Sequence, residues 1–275
     1  MYELAAQLPE TAIILDLGSG GGSFDYNRTR AAVISADVAF PEGAARGAGA
    51  LAASAVRLPL RNESIDLVVC NHTLEHFPEL PECIGEIARV LKRNGYLWAA
   101  VPDGWSLDDR LYRFLFKGGG HLNQFSFESF LEAIQGSGEL RAVSYKRLRS
   151  GFVYLKPPSA SKLRHFPLRA KVALGLLPAR LQMWLVRWFN LLVRVLDRRL
   201  STRWSYYGWA VSFQKQRERQ AAPSDLETLP EDSNVCFGCG SGHATATLQR
   251  KPACFGLLAE YACPACGTVN FLVEP

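Results

Sequence analysis

The chain has 275 residues, 48% of them hydrophobic and 21% charged, with a formal net charge of +5. That balance is globular, and the length suits one large domain with a small companion. No apolar run reaches the roughly 18 residues of a membrane-spanning helix, and acidic Glu3 stands where a secretory signal would be basic, so the chain reads as cytoplasmic.

The first strand is predicted over Ala12 to Asp16, an apolar run that passes through Leu17 into Gly18, Ser19, Gly20, Gly21 and Gly22. Glycines there let a ligand press against bare backbone, and a helix opening from the turn would offer it free N–H groups and partial positive charge. A tight turn without a ligand is the plain alternative. A dinucleotide fingerprint would place its third glycine where this chain has Ser23. Further strands are predicted over Ala32 to Asp37, Leu51 to Val56, Ile65 to Asn71 and Tyr96 to Val101, the alternation of a parallel α/β sheet. Between the last two, Pro81 to Leu91 is predicted as a helix with Ile84, Ile87, Ala88 and Leu91 on one apolar face. Its exit, Lys92-Arg93-Asn94-Gly95, puts two cations at the negative helix end and a glycine just beyond. A short helix over Phe127 to Ile134 follows, then strands over Leu140 to Lys146 and Gly208 to Gln214. The chain thus divides into an α/β domain at 1–215 with a helical insertion at 156–204, a polar linker at 216–232, and a cysteine-bearing module at 233–275.

The insertion holds the whole basic surplus. Lys156 to Trp204 contains eleven Lys or Arg against Asp197 alone, a net +10 that leaves −5 for the rest of the chain. From Arg180 to Leu200, helical spacing gathers Arg180, Arg187, Arg194 and Arg198 on one narrow stripe, with Trp184, Leu185, Trp188, Leu192 and Val195 on the broad remainder. A membrane-surface helix has this form, so 178–200 is read as a peripheral contact with the inner face of a membrane. A face covering the sheet or substrate pocket, or meeting a second subunit, is the alternative. Nucleic acid is the less favoured partner, because so much Leu, Trp and Phe around the arginines argues for burial over phosphate tracking.

Asp37 ends the second predicted strand, twenty-one residues after Asp16, where a carboxylate can accept hydrogen bonds from ribose hydroxyls; a helix N-cap is its alternative role. The run Asp16-x-Gly18-x-Gly20-x-Gly22 resembles the first motif of the class I S-adenosylmethionine methyltransferases. Leu58-Pro59-Leu60, a polar turn, Ile65-Asp66-Leu67-Val68-Val69 and Leu74-Glu75-His76 resemble the Leu-Pro-Phe, Phe-Asp-Val-Val and Leu-Glu-His pattern of the type 11 methyltransferase domains. Glu86 to Leu97 is similar to that family's Glu-Ile-x-Arg-Val-Leu-Lys-Pro-Gly-Gly-x-Leu, with Arg93 and Asn94 replacing Pro and the first Gly.

The likeness covers roughly residues 12 to 135. It implies a Rossmann-like sheet with helices on both faces and S-adenosylmethionine as cofactor. By position it implies Asp16, Gly18, Gly20 and Gly22 at the methionine half, Asp37 at the ribose, Ser54 and Ala55 beside the adenine, and Asn71 and His72 near the sulfonium. The family commonly has Asp where Ser54 stands, so the adenine contact would rest on a hydroxyl or a backbone carbonyl. The donor carries its own leaving group, so alignment and exclusion of water supply most of the acceleration. A base is needed only for a hydroxyl, an acidic carbon or a protonated amine. His121 matches a family histidine in a His-x-x-x-Phe arrangement and is the first candidate base, with His72 and Glu75 behind it; a loop histidine capping the Phe127 helix is the alternative.

Cys236-x-x-Cys239-Gly240 and Cys263-x-x-Cys266-Gly267, twenty-three residues apart, have the spacing of two knuckles meeting at one tetrahedral ion. Four thiolates leave no open position, so the zinc would be structural, and it would hold together a small zinc ribbon at 233–275, a module of about forty residues too small to fold alone. Cys254 and His243 are then spare. Together these features imply a methyltransferase acting on a small-molecule, lipid-linked or saccharide-type acceptor. The alternatives are an RNA or protein methyltransferase that recognises its target through the ribbon, and a non-catalytic binding protein that keeps the cofactor fold.

Overall fold

The structure, a computed structural model, describes residues 1–39, 49–118, 120–136, 138–216, 226–232 and 234–273. In chain order the first elements are α1 (Tyr2–Gln7), β1 (Ile13–Leu17), β2 (Ala32–Asp37), β3 (Gly49–Ala52), β4 (Ile65–Asn71), α2 (Leu80–Val90) and β5 (Leu91–Pro102). Next come α3 (Leu107–Phe116), α4 (Phe127–Gln135), β6 (Leu140–Arg149), α5 (Ala160–His165), α6 (Leu168–Gly175), α7 (Ala179–Leu200) and β7 (Tyr206–Lys215). The last are β8 (Glu227–Thr228), β9 (Asn234–Val235), β10 (Gly242–His243), β11 (Lys251–Ala253), β12 (Leu258–Ala262) and β13 (Val269–Phe271). They divide into two compact units. Met1–Pro102, Leu122–Lys146 and Trp209–Leu229 form the first, and Asp103–His121, Arg147–Gly208 and Pro230–Pro275 the second.

The first unit is built on a sheet of order β3-β2-β1-β4-β5-β7-β6-β8. Strands β3, β2, β1, β4 and β5 run parallel, and such strands must be covered on both faces, which is why β1 and β4 are near-continuous apolar runs. Alternate residues serve opposite faces. Leu15, Leu17, Val68 and Cys70 pack with Ile84, Ile87 and Ala88 of α2 and with Phe130 and Ile134 of α4. Ile14, Val33, Leu67 and Val69 pack on the other side with Ala5 of α1 and with Tyr26. Chain order reverses between β1 and β4, the place where open α/β sheets leave a crevice beyond their carboxyl ends. The last two long strands, β6 and β7, are neighbours although the helical insertion intervenes.

Two connections differ from expectation. Residues 92 to 95 are not an exit loop: Leu91 is already extended and pairs with Ile65, and the register shifts between Ile65 and Leu67. The cations expected at the helix dipole serve the start of β4 instead, with Lys92 Nζ 2.8 Å from Asp66 Oδ2 and Arg93 Nε 3.3 Å from Glu63 Oε1. Asn94 has φ +63°, a region that Asn tolerates better than most residues, so it can replace a glycine without undoing the turn. Asn94→Ala should therefore cost about 1 kcal/mol in thermal melts, and Asn94→Gly less than about 0.5 kcal/mol. Equal losses in both variants would assign the cost to side-chain contacts. The second difference lies in 216–232, where Glu227 and Thr228 pair in parallel with Ser144 and Tyr145 as β8 and so extend the sheet; residues 217–225 lie outside the described residues.

In the second unit β9 and β10 form a hairpin and β11-β12-β13 an antiparallel sheet. Cys236, Leu248, Tyr261, Cys263 and Leu272 make a small core there. A separate cluster joins Leu115 of α3 to Ala170 and Leu174 of α6, with Phe116, Tyr154 and Phe166 around them. Helix α7 lies against the cysteine module. Arg194 is buried and donates from Nη2 to the Val235 carbonyl at 2.9 Å. Arg187 pairs with Glu260 and lies 3.8 Å from the centroid of the Phe271 ring. Two arginines of the predicted stripe thus face inward, onto β9, β12 and β13. Burial pulls the Arg194 guanidinium down to about 10, still charged at neutral pH.

Candidate functional site

The glycine turn hangs from the carboxyl end of β1 and is tied to its neighbours. Gly18 and Ser19 donate backbone N–H bonds to the Ala36 carbonyl at 2.8 and 3.1 Å, and Ser19 Oγ meets Ser35 Oγ at 2.7 Å. Gly18 has φ +69°, and a Cβ there would stand 2.0 Å from Thr73 Cγ2. Gly20 has φ +51° but open space around it, so the left-handed backbone alone demands glycine. Beyond Gly22 no α-helix opens, contrary to expectation. Asp25 caps a single 3-10 turn at Tyr26–Arg28, and the chain enters β2 four residues later. Tyr26 instead reaches back and donates from its hydroxyl to Asp16 Oδ2 at 2.6 Å, and Ser23 N–H donates to the same oxygen at 2.9 Å. Burial and that bond push the Tyr26 phenol well above its usual range, so it stays protonated as a donor.

The remaining positions flank this turn. Asp37, at the end of β2, accepts Gly20 N–H on Oδ2 at 2.9 Å. Strand β3 ends at Ala52, earlier than expected, so exposed Ser54 and buried Ala55 lie in the turn that follows it. Asn71 ends β4 and donates from Nδ2 to the Ser23 carbonyl at 3.3 Å. His72 adopts φ +54°, a conformation strained for histidine, and donates its N–H to Ala100 O at 2.9 Å. Its Nδ1 lies 3.5 Å from Glu75 Oε1. The Glu75 side chain is only 1% exposed, and Oε2 has no hydrogen-bond partner among the described residues. Asn123 clamps this turn with bonds from Nδ2 to the Leu74 and Phe77 carbonyls at 3.0 and 2.7 Å. Neither Thr73 nor Asn123 was singled out in the sequence. Thr73 immediately precedes Leu74-Glu75-His76 and Asn123 lies two residues past His121, so only their adjacency to motif positions could have marked them.

Residues 15–99, which hold the glycine turn, Asp37, Asn71 and His72, match the model of a family described as a methyltransferase domain. This segment is similar to a methyltransferase domain. A methyltransferase-like protein of Schizosaccharomyces pombe is 37% identical over an alignment 103 residues long that covers 33% of this chain and 38% of that protein. The match thus spans little more than a third of the relative's length. Among solved structures, a putative methyltransferase from Bacillus halodurans aligns at 15% identity over 78% of this chain and 97% of its own, with a TM-score of 0.47. Phosphoethanolamine N-methyltransferase 2 of Haemonchus contortus, solved with S-adenosyl-L-methionine, aligns at 14% identity over 78% of this chain and 50% of its own, with a TM-score of 0.49.

The donor set around the glycine turn fits S-adenosylmethionine in charge and hydrogen-bonding chemistry. Asp16 Oδ1 is buried and has no partner among the described residues, a costly state that an ammonium group would relieve. The Asp37 carboxylate is an acceptor for ribose hydroxyls, held in place by the Gly20 amide. His121 belongs to the second unit. There Asp109 of α3, almost fully buried, meets its Nδ1 at 2.7 Å and takes Arg113 on its other oxygen at 2.6 Å. The capping role considered for His121 is filled by Ser126, which accepts the Ser129 N–H at the start of α4. Nothing in the spacing pointed to Asp109, twelve residues before His121.

The four paired cysteines converge in the second unit. Their sulfurs lie within 4.8 Å of one another, with Cys236 and Cys266 at 3.6 Å and Cys239 and Cys263 at 3.7 Å. Tetrahedral coordination with bonds of about 2.3 Å puts neighbouring sulfurs about 3.8 Å apart, so the set fits one ion. Asn270 Nδ2 points at Cys236 Sγ from 3.4 Å, and the hydroxyls of Ser241 and Thr268 lie 3.3 and 3.2 Å from Cys239 and Cys266. Cys254 is exposed and apart from them, whereas His243 Nε2 lies 3.3 Å from Cys263 Sγ.

Proposed function

We propose that the chain transfers a methyl group from S-adenosylmethionine to a small-molecule, lipid-linked or saccharide-type acceptor, and that its four clustered cysteines hold a structural zinc ion. The observation that carries the first reading is the buried Asp16 Oδ1, without a partner among the described residues, at the head of a glycine turn inside a segment that matches a methyltransferase domain. The bound donor would supply an activated methyl on a sulfonium. Asp16 would hold its ammonium end, Gly18, Gly20 and Gly22 would let it lie against the backbone, and Asp37 would take the ribose hydroxyls. Ser54 and Ala55 would border the adenine, and Asn71 and His72 the sulfonium. Where the acceptor must lose a proton, the candidates are His121, whose ring Asp109 holds, and His72 beside Glu75.

Calorimetric titration with S-adenosylmethionine tests this. Asp16→Asn keeps the side chain's shape and the bond from Tyr26 but removes its charge, and should weaken binding about 10- to 100-fold, the worth of a charge-assisted hydrogen bond. Equal affinity in the parent protein and the variant, or no binding by the folded parent, would refute the reading.

A further inference from the structure

Helix α7 is amphipathic in the reverse of the usual sense. The face it turns inward carries Gln182, Asn190 and Arg194 beside Val186 and Val193. Those polar groups are bonded to the backbone of their own unit, Gln182 to Leu155 O, Asn190 to Gly151 O and Arg194 to Val235 O. The opposite side is apolar, and although Trp188 on it packs against Phe271 of β13, much of it is exposed. Leu181, Trp184, Leu185, Leu192 and Val195 are 43%, 55%, 41%, 54% and 42% exposed, and their spacing places them along one line of the helix. A helix that buries its polar face and exposes its apolar one has an outside partner for the latter.

The same helix borders a groove of about 610 Å³ against the cysteine module. Arg194, Arg198, Arg199 and Arg250 line it together with Leu257 and Val195, and among the described residues none of its lining is acidic. Val195 belongs to both the stripe and the groove, so apolar surface runs straight into a cluster of guanidinium groups. Lys162, Arg164, Arg169, Lys171 and Arg180 are exposed on the neighbouring helices and at the start of α7. No described helix is long and apolar enough to cross a membrane.

We propose that α7 and this groove form a docking surface for an anionic phospholipid bilayer, the stripe entering the acyl boundary and Arg198, Arg199 and Arg250 taking headgroup phosphates. The apolar line supplies burial, and the net +10 of residues 156 to 204 selects negative lipid. The proposal stands apart from the methyl-transfer reading, because its test reads membrane partition alone.

Flotation of the full chain with vesicles tests it. The parent protein should float with phosphatidylcholine vesicles carrying one-third phosphatidylglycerol, much less with phosphatidylcholine alone, and less again in high salt. A triple variant, Arg198→Ala with Arg199→Ala and Arg250→Ala, should lose about a hundredfold in partition to anionic vesicles. The variant Leu181→Asp with Trp184→Asp should lose about tenfold or more. Unchanged thermal melts establish that both variants fold, as expected for exposed positions. Failure of the parent protein to float, or flotation retained in both variants, overturns the proposal. So does a dimer in sedimentation that Leu181→Asp dissociates while flotation is absent, because the stripe would then be an interface between copies of this chain.

Discussion

Gly18→Ala should abolish measurable S-adenosylmethionine binding and lower stability by about 3 kcal/mol. Two costs combine. At φ +69° an alanine pays about 1 kcal/mol for the left-handed backbone. Its Cβ would also fall 2.0 Å from Thr73 Cγ2, and Thr73 cannot swing aside cheaply, because it is buried and its hydroxyl contacts the Gly18 and Asn71 carbonyls at 3.4 and 3.3 Å. Overpacking of that kind costs about 1–3 kcal/mol and is relieved only if the turn lifts from β4. The turn carries Gly20 and, through it, the anchor on Asp37, so lifting it disperses the residues read as cofactor ligands. Thermal melts and calorimetric titration check both parts. Thr73→Ser removes the offending methyl, so the double variant Gly18→Ala with Thr73→Ser should regain part of the lost stability. No recovery in the double variant would mean that the backbone term alone is responsible.

The same contacts mark how much of this protein is legible in its sequence. The strands β1, β2 and β4 could be read because parallel strands are buried on both faces and so spell unbroken apolar runs. The ends of those strands could be read because glycine, Asp37 and Asn71 do what apolar residues cannot. The connection after Gly22 could not. A helix was expected by analogy with other nucleotide turns, yet few residues lie between Gly22 and β2, and Asp25 takes the Asn27 N–H and closes a tighter turn. Tyr26 then delivers a hydroxyl to Asp16, a role that depends on where a folded turn places a ring. Asn94 was visible as a departure from the family pattern, and its positive φ reveals it as an equivalent choice. The direction of α7 was hidden for another reason. Periodicity says which residues share a face and not what the face meets. Arginine is ordinarily read as a solvent-facing residue, and here Arg194 is buried because a backbone carbonyl of β9 is waiting for it.

That burial makes removal of the proposed zinc the most far-reaching change available in the second unit. Among the described residues the cysteine module's main apolar cluster holds five buried residues, two of them cysteines of the metal set, too little to hold the module together against chain entropy, so the ion would supply most of its folding free energy, on the order of 10 kcal/mol for such sites. Losing it would loosen β9, and with it the Val235 carbonyl that satisfies Arg194, the Gly238 carbonyl that accepts from Lys156, and the Glu260 carboxylate that pairs with Arg187. A guanidinium left buried without its partner costs about 3–5 kcal/mol, which the helix can avoid only by detaching. Stripping the metal with a strong chelator, or Cys263→Ser, should therefore cost helical signal at 222 nm from α7 as well as the ribbon, and should open sites for limited proteolysis between residues 156 and 204. The sheet of the first unit has its own two-faced core and should stay protected. Arg194→Met should uncouple the two effects, because a neutral side chain of similar length can stay buried after the ribbon is lost. A full helical signal after verified metal loss in the parent protein would show that α7 does not depend on the ribbon, and would locate its support in Gln182 and Asn190 instead.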